Sequence, residues 1–135
     1  MAARLIGVLR LEPYRFVDDL PFDATADEVR QRRGPPARQA RNDVGLIELD
    51  YGDAVYRFQD CGRLEEVTCH VSVLHLDAVA VPFEALVGFV RAHDPQVFER
   101  AGFIVSPRWG IAFDLHDGGW VTALAAHCLP QWRAL

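Results

Sequence analysis

The stretch Val44–Val73 constrains the fold more than any other part of the chain. Apolar and polar residues alternate in it with a period of two, the pattern of strands that bury one face. Turns at Gly52-Asp53 and at Asp60-Cys61-Gly62 separate three such segments. The apolar positions are Ile47, Leu49 and Tyr51, then Tyr56 and Phe58, then Val67, Cys69, Val71 and Val73. The stretch therefore predicts a meander of three antiparallel strands with one polar face.

The polar positions of this meander carry several acidic side chains. The polar positions are Glu48 and Asp50 in the first strand and Glu66, Thr68, His70 and Ser72 in the third, and three of these residues are acidic. We call the sheet surface that carries Glu48, Asp50, Glu66 and His70 the polar face. Acidic groups on an exposed sheet are suited to contact with a basic protein surface.

A short helix is predicted just before the meander. Thr25 is a suitable N-cap, and Glu28 at the third helical position completes a capping box. Gly34 can adopt the left-handed conformation that ends a helix, and the prolines that follow prevent its continuation. Val29 is its one large apolar residue, so we expect the helix to lie at the rim of the core.

The flanking segments are simpler. A strand is expected at Leu5–Leu11, ending before Pro13, and residues 35–43 are expected to form a polar loop. Pro82 opens a second helix, whose core-facing stripe follows the spacing i, i+3, i+4, i+7. That stripe is Phe83, Leu86, Val87 and Val90.

The C-terminal third is predicted to return to strands. Asp94-Pro95 ends the second helix and is expected to cap a short further helix, with Gly102 as its stop. A brief strand follows at 103–106, and then a hairpin around Asp117-Gly118-Gly119. We expect the final residues to be peripheral, with Trp132 as an anchor.

Two segments of the chain are similar to each other. Residues 54–71 and 110–128 each contain a strand with an aromatic residue, a polar turn ending in glycine, and a strand that reaches a Cys/His pair. One interpretation is a repeat with halves at 20–77 and 78–129 within a single domain, 1–135; chance similarity of short hairpins is the other. The predicted fold class is α+β, with antiparallel meanders and two or three helices packed on one side.

Composition narrows the class of protein. The net charge is −5, and 14 of the 19 acids lie in residues 1–80, which argues against nucleic-acid and anionic-membrane partners. No apolar run approaches the roughly 20 residues of a membrane span. Charged residues interrupt the apolar N-terminal run before a secretory signal can form, so we expect a cytoplasmic protein.

Cysteine and histidine are the candidate reactive residues. Cys69-His70 and His127-Cys128 end the two similar strands, but adjacent strand residues point to opposite faces, so we expect no metal ion and no cofactor. A nucleophilic pair such as Cys69 with His127 has no recognised motif around it, and we expect no catalytic residue. The arginines at 30–41 have acids beside them and no interleaved aromatics, which disfavours nucleic-acid binding.

A family resemblance rests on the first helix. The residues Thr25, Glu28, Val29, Gly34 and Pro35 resemble the opening G-x-T-x-x-E-V-x-x-x-x-G-x-P of small bacterial helix-plus-meander domains. These include BamE-like domains and the modules of the β-lactamase inhibitor protein. The same segment also resembles several small cytosolic immunity proteins of bacterial toxin systems. Asp23 or Ala24 stands in place of the first glycine. The resemblance covers residues 20–72 and implies a protein-binding scaffold.

The predicted function is therefore a cytosolic immunity or inhibitor-type protein, monomeric or homodimeric, that binds and occludes a cognate bacterial toxin with a basic surface. The residues expected to contact that partner are Asp18, Asp19, Glu48, Asp50, Glu66 and His70. The alternatives are a small enzyme or ligand-binding domain that uses a sheet–helix pocket with Cys69 or His127, and a homodimeric structural subunit.

Overall fold

The computed structural model describes residues 7–116 and 118–135. They form an α+β fold with a mostly antiparallel twelve-stranded sheet and three α-helices, which confirms the predicted fold class. The strands are β1 (Gly7–Glu12), β2 (Phe16–Val17), β3 (Leu20–Pro21), β4 (Arg38–Arg41), β5 (Ile47–Asp50), β6 (Ala54–Phe58), β7 (Leu64–Leu76), β8 (Val79–Pro82), β9 (Phe98–Arg100), β10 (Phe103–Ser106), β11 (Ile111–Asp114) and β12 (Trp120–Leu124). The helices are α1 (Ala26–Arg33), α2 (Leu86–His93) and α3 (Leu129–Ala134), and short 3-10 helices at Phe83–Ala85 and Ala126–Cys128 lead into α2 and α3.

Two four-stranded meanders make up most of the sheet. β4 to β7 pair in succession after α1, and β9 to β12 pair in succession after α2. The meanders join where β7 and β12 pair antiparallel, with Thr68 opposite Thr122. Each half of this arrangement is thus a helix followed by four strands, and the last strands of the two halves, β7 and β12, pair with each other. An origin of this arrangement by duplication stays a prediction.

β7 is longer than predicted and shifts its buried face along its length. Its second half pairs with β8 and, in parallel, with β1, so that Val71 pairs with Gly7 and Val73 with Val8. Ser72 is the extra residue of a β-bulge between these pairs, and a bulge moves the alternation by one position. The prediction that Val73 shares the face of Val71 is therefore wrong.

The first three strands, β1 to β3, extend the sheet at this half of β7. β1 corresponds to the predicted strand Leu5–Leu11, whose first two residues lie outside the described residues. β2 and β3 follow β1 through short turns and pair antiparallel in succession. The parallel β1–β7 pairing has no signature in local sequence, because it joins segments about 60 residues apart.

The loop predicted at residues 35–43 is wrong for its central part. Arg38–Arg41 forms β4, which pairs with β5 and has all four residues exposed. Such a strand has no apolar alternation to reveal it, since neither of its faces is buried. Arginines on an outer strand also oppose pairing with other chains.

The short helix predicted after Asp94-Pro95 is also wrong. Phe98–Arg100 forms β9, which makes a hairpin with β10. Ala101 and Gly102 both have positive φ, 52° and 85°, as a two-residue hairpin turn requires. Gly102 therefore closes a hairpin and does not end a helix.

The sheet packs its two faces unequally. A large core cluster includes Val29 of α1 and Leu86 of α2, so these two helices cover one face. α3 packs on the other face, where Leu129 and Trp132 contact a small cluster of Val105, Ala112 and Leu124. None of the helices among the described residues has the length and apolar composition needed to cross a bilayer.

α1 begins and ends as predicted. The Glu28 N–H donates to Thr25 Oγ1 at 3.2 Å, and the Gly34 N–H donates to the Arg30 carbonyl with φ at 83°. Val29 is its buried residue. The cap signals are correct because they act within one turn of the chain and need no tertiary contact.

The cap gives a direct stability test. We expect Thr25→Ala to lower the free energy of unfolding by about 1 kcal/mol, because the Glu28 N–H loses its acceptor. Thr25→Ser keeps the hydroxyl and should stay within a few tenths of a kcal/mol of the parent. Urea unfolding followed by circular dichroism measures both, and an equal loss in the two variants would contradict this role for the hydroxyl.

Candidate functional site

A pocket of about 380 Å³ lies on the polar face. Its floor is formed by side chains of β6, β7 and β12 that alternate with core residues and therefore point away from the large cluster. α3 contributes Trp132 and β10 contributes Phe103. The residues that line it are Val55, Arg57, Glu66, Thr68, Phe103, Asp114, Trp120, Thr122 and Trp132. The pocket thus combines apolar rings with charged side chains.

Arg57 is the centre of a polar network on this face. Its Nε donates to Glu48 Oε2 at 2.7 Å, and its Nη1 donates to Thr68 Oγ1 at 2.6 Å and lies 3.5 Å from Glu66 Oε1. Thr68 Oγ1 lies 2.9 Å from Thr122 Oγ1. The network therefore crosses four adjacent strands, β5, β6, β7 and β12, and holds the pocket floor in one arrangement.

Glu66 is the acid most affected by this environment. Its side chain is 18% exposed, and burial raises the pKa of its carboxyl, with Glu65 and Glu48 adding to the effect. Arg57 and a hydrogen bond from Trp132 act in the opposite direction. Burial has the larger effect on this pKa. A further cation entering the pocket would favour the charged carboxylate, because a nearby opposite charge lowers the pKa of a carboxyl.

Aromatic rings form the upper walls of the pocket. Trp132 meets Phe103 edge to face, with ring centroids 5.2 Å apart. Trp120 meets His70 in the same manner, also at 5.2 Å. Both indoles are half-buried and line the pocket, and indole rings are suited to contact with a cation or an apolar side chain.

The five acids and one histidine that were predicted to bind a partner lie in two separate regions of the structure. Glu48, Asp50, Glu66 and His70 share the polar face. Asp19 lies on the opposite side, where Arg33 contacts both its carboxylate and the core-facing Tyr56 hydroxyl.

Asp18, the last of the six residues, lies in the turn after β2. Asp18 has positive φ, and its carboxylate accepts the Arg10 N–H at 3.0 Å, which braces the turn after β2. Asp18 and Asp19 therefore lie apart from the four residues of the polar face.

A second cluster lies at the start of β7. His127 Nε2 is 2.8 Å from Glu65 Oε1, and the Cys128 thiol donates to Glu65 Oε2 at 2.6 Å. The ligand atoms of all three side chains lie within 4.8 Å of one another. The Glu65 side chain is 4% exposed and that of His127 is 25% exposed. We call these three residues the Glu-His-Cys cluster.

Two backbone features create the Glu-His-Cys cluster. Arg57 pairs with Glu66 and Phe58 pairs with Leu64, so Glu65 is the extra residue of a second bulge, which redirects its side chain. His127 and Cys128 lie in a 3-10 helix, so the opposite-face argument for strand residues is wrong for this pair. Two adjacent side chains thus reach one carboxylate.

Cys69 and His127, the pair weighed for nucleophilic chemistry, are not brought together. Cys69 is fully buried in the large core cluster, opposite Val121. His127 contacts Glu65, which lies four positions, about 13 Å, from Cys69 along β7. Burial and the Glu65 carboxylate raise the pKa of the Cys128 thiol, which disfavours the nucleophilic thiolate at neutral pH.

Two of the central residues were missed by sequence reasoning. Arg57 alternates with Tyr56 and Phe58, and this spacing alone could have assigned it to the polar face between the acids of β5 and β7. Glu65 had no such signal, because simple alternation does not reveal a bulge in the β6–β7 hairpin, and the side chains that Glu65 contacts lie more than 60 residues away. Comparison of the chain with protein-family models, with curated proteins and with solved structures yields no match.

Proposed function

We propose that this chain is an inhibitor or immunity-type protein that binds a basic bacterial toxin on its polar face. One observation carries the proposal: the polar face has a pocket with acidic and tryptophan walls, large enough for an arginine or lysine side chain of the partner. The partner's basic surface then covers the surrounding sheet. The toxin is occluded by the protein and is not chemically altered.

The charges around the pocket support this choice of partner. Arg57 is engaged most closely by Glu48 and Thr68 and lies 3.5 Å from Glu66, and both Glu66 and Asp114 line the pocket. A cation from the partner would meet these two acids and the indole rings, which favours a cation–π contact. Acids spread over the same face would also speed the encounter with a basic surface.

The test is to fill the pocket. Val55 lines it, so Val55→Arg adds both bulk and a positive charge at the expected contact. We expect affinity capture from the native host to recover a basic toxin with the parent protein, and binding to weaken by about 30-fold or more in Val55→Arg, the scale of an interface hot spot. Co-expression of the parent should protect cells from that toxin.

Val79→Arg is the matched control, since Val79 is 44% exposed on β8 and does not line the pocket. It should bind as the parent does. Binding by the parent should weaken with added salt, because exposed charges are screened. Equal binding by Val55→Arg and the parent would show that the pocket is not the contact, and the absence of a toxin partner together with no protection would overturn the proposed function.

A further inference from the structure

The Glu-His-Cys cluster holds one oxygen, one nitrogen and one sulfur ligand atom in a small volume. The three atoms lie within 4.8 Å of one another, and Glu65 and Cys128 are buried. None of these side chains lines the polar-face pocket, so the cluster is separate from the surface used in the proposed function.

The backbone directs all three side chains to one point. The bulge at Glu65 turns its carboxylate toward the 3-10 helix, and the Ala125 N–H donates to the Glu65 carbonyl at 3.0 Å. Cys128 Sγ also lies 3.1 Å from the same carbonyl oxygen. The segment after β12 is therefore fixed against β7 at the place where the ligand atoms meet.

We propose that Glu65, His127 and Cys128 bind a zinc-type divalent transition-metal ion, with one coordination position left open. Imidazole, thiolate and carboxylate are the three protein ligands that zinc accepts. Calcium and magnesium require mainly oxygen ligands, so the thiol excludes them. Three protein ligands and an open position are typical of zinc sites that bind a water molecule or a substrate.

Binding requires the two contacts from Glu65 to lengthen. Two ligands of a tetrahedral zinc ion lie about 3.5 Å apart, given bond lengths near 2.0 and 2.3 Å. The present separations are 2.8 Å from Glu65 Oε1 to His127 Nε2 and 2.6 Å from Glu65 Oε2 to Cys128 Sγ. The half-buried imidazole can move outward, and the thiol proton leaves to solvent as the metal–sulfur bond forms.

Cobalt(II) is the probe, because its thiolate complexes absorb in the near ultraviolet and its four-coordinate complexes absorb strongly in the visible. The titration uses the reduced full chain with Cys61→Ser, which removes the exposed thiol. We expect one equivalent of cobalt to produce both sets of bands, and one equivalent of zinc to abolish them. A protein that binds no cobalt, or that shows no thiolate band, would overturn the proposal.

Two cysteine variants separate this site from other thiols. Cys128→Ser should lose the thiolate band and bind cobalt about 100-fold or more weakly, whereas Cys69→Ser, which also removes a buried thiol, should keep the band. Circular dichroism establishes that each variant is folded. His127→Gln changes a partly exposed side chain and provides a second test, with binding expected to weaken about 10-fold or more. A thiolate band that persists in Cys128→Ser, or unchanged affinity in His127→Gln, would contradict the assignment.

Discussion

Asp94→Ala is expected to lower the free energy of unfolding by about 3–5 kcal/mol, the largest loss among the substitutions considered. Asp94 is 2% exposed and follows α2 directly. Its Oδ2 accepts the Ser106 hydroxyl at 2.7 Å and the Arg108 N–H at 3.1 Å, and its Oδ1 accepts the Gln96 N–H at 2.9 Å. The alanine variant leaves all three donors without this acceptor.

The size of the effect follows from burial. Ser106 is fully buried, so its hydroxyl cannot replace the lost carboxylate with bulk water. Each hydrogen bond to a charged acceptor contributes about 1.5–3 kcal/mol, and the three share one carboxylate, so the sum is not fully additive. The loss would also release the end of α2 from the loop after β10, since these bonds join the two segments.

Two variants test this explanation. Asp94→Asn keeps the size of the side chain and one acceptor oxygen, so it should lose less stability than Asp94→Ala. Asp27→Ala removes an acid whose side chain is 88% exposed, and it should change stability by less than about 1 kcal/mol. Urea unfolding followed by tryptophan fluorescence measures all three, and a loss below about 1 kcal/mol for Asp94→Ala would contradict the role assigned to this carboxylate.

Arg57→Met is expected to lower stability by about 2–3 kcal/mol at pH 7.5, because it leaves Glu48 and Glu66 partly buried without their cation. Methionine keeps most of the apolar stem, so the loss reports the charge and the hydrogen bonds. Fully buried pairs lose somewhat more when one partner is removed, and the side chains here are about one-fifth exposed, which reduces the value.

This destabilisation should depend on pH in a defined direction. Burial raises the pKa of Glu66 above its unfolded value near 4.5, so the penalty for its charge is absent below that value and develops as pH rises through the folded pKa. Arg57 lowers that pKa, and its removal should raise it further. The stability difference between Arg57→Met and the parent should therefore shrink between pH 7.5 and pH 5.

The double variant Arg57→Met/Glu66→Gln isolates the pair. Removing the uncompensated acid should recover about 1 kcal/mol or more relative to Arg57→Met at pH 7.5. Arg63→Met is the matched control, since Arg63 is exposed, and it should stay within about 0.5 kcal/mol of the parent. A destabilisation of Arg57→Met that is the same at both pH values would exclude the charge of Glu66 as its cause.

Local patterns were sufficient for much of the fold. The alternation in Val44–Val73 predicted β5, β6 and the first half of β7, and the cap residues of α1 predicted both ends of that helix. They failed where a strand has no buried face, as in β4, and where a turn residue serves either a helix end or a hairpin, as Gly102 does.

The candidate sites depended more strongly on tertiary structure. Sequence reasoning assigned Glu48, Asp50, Glu66 and His70 to one face, and the strand pairing agrees. It had no means of adding Trp132 from α3 or Phe103 from β10 to the same pocket. It also separated His127 from Cys128, because it treated a 3-10 helix as a strand.

The sequence by itself determined which residues alternate, where α1 begins and ends, and which side of the first meander is polar. These features come from neighbouring residues, whose spacing decides what a strand or helix turns toward its core. Only the tertiary structure decided that β7 pairs with β12, that the bulge at Glu65 meets His127 and Cys128, and that α3 covers the second meander. The β7–β12 pairing and the Glu65 contacts join residues more than 50 positions apart, and the free energy of all three contacts depends on shapes that exist only after the chain has folded.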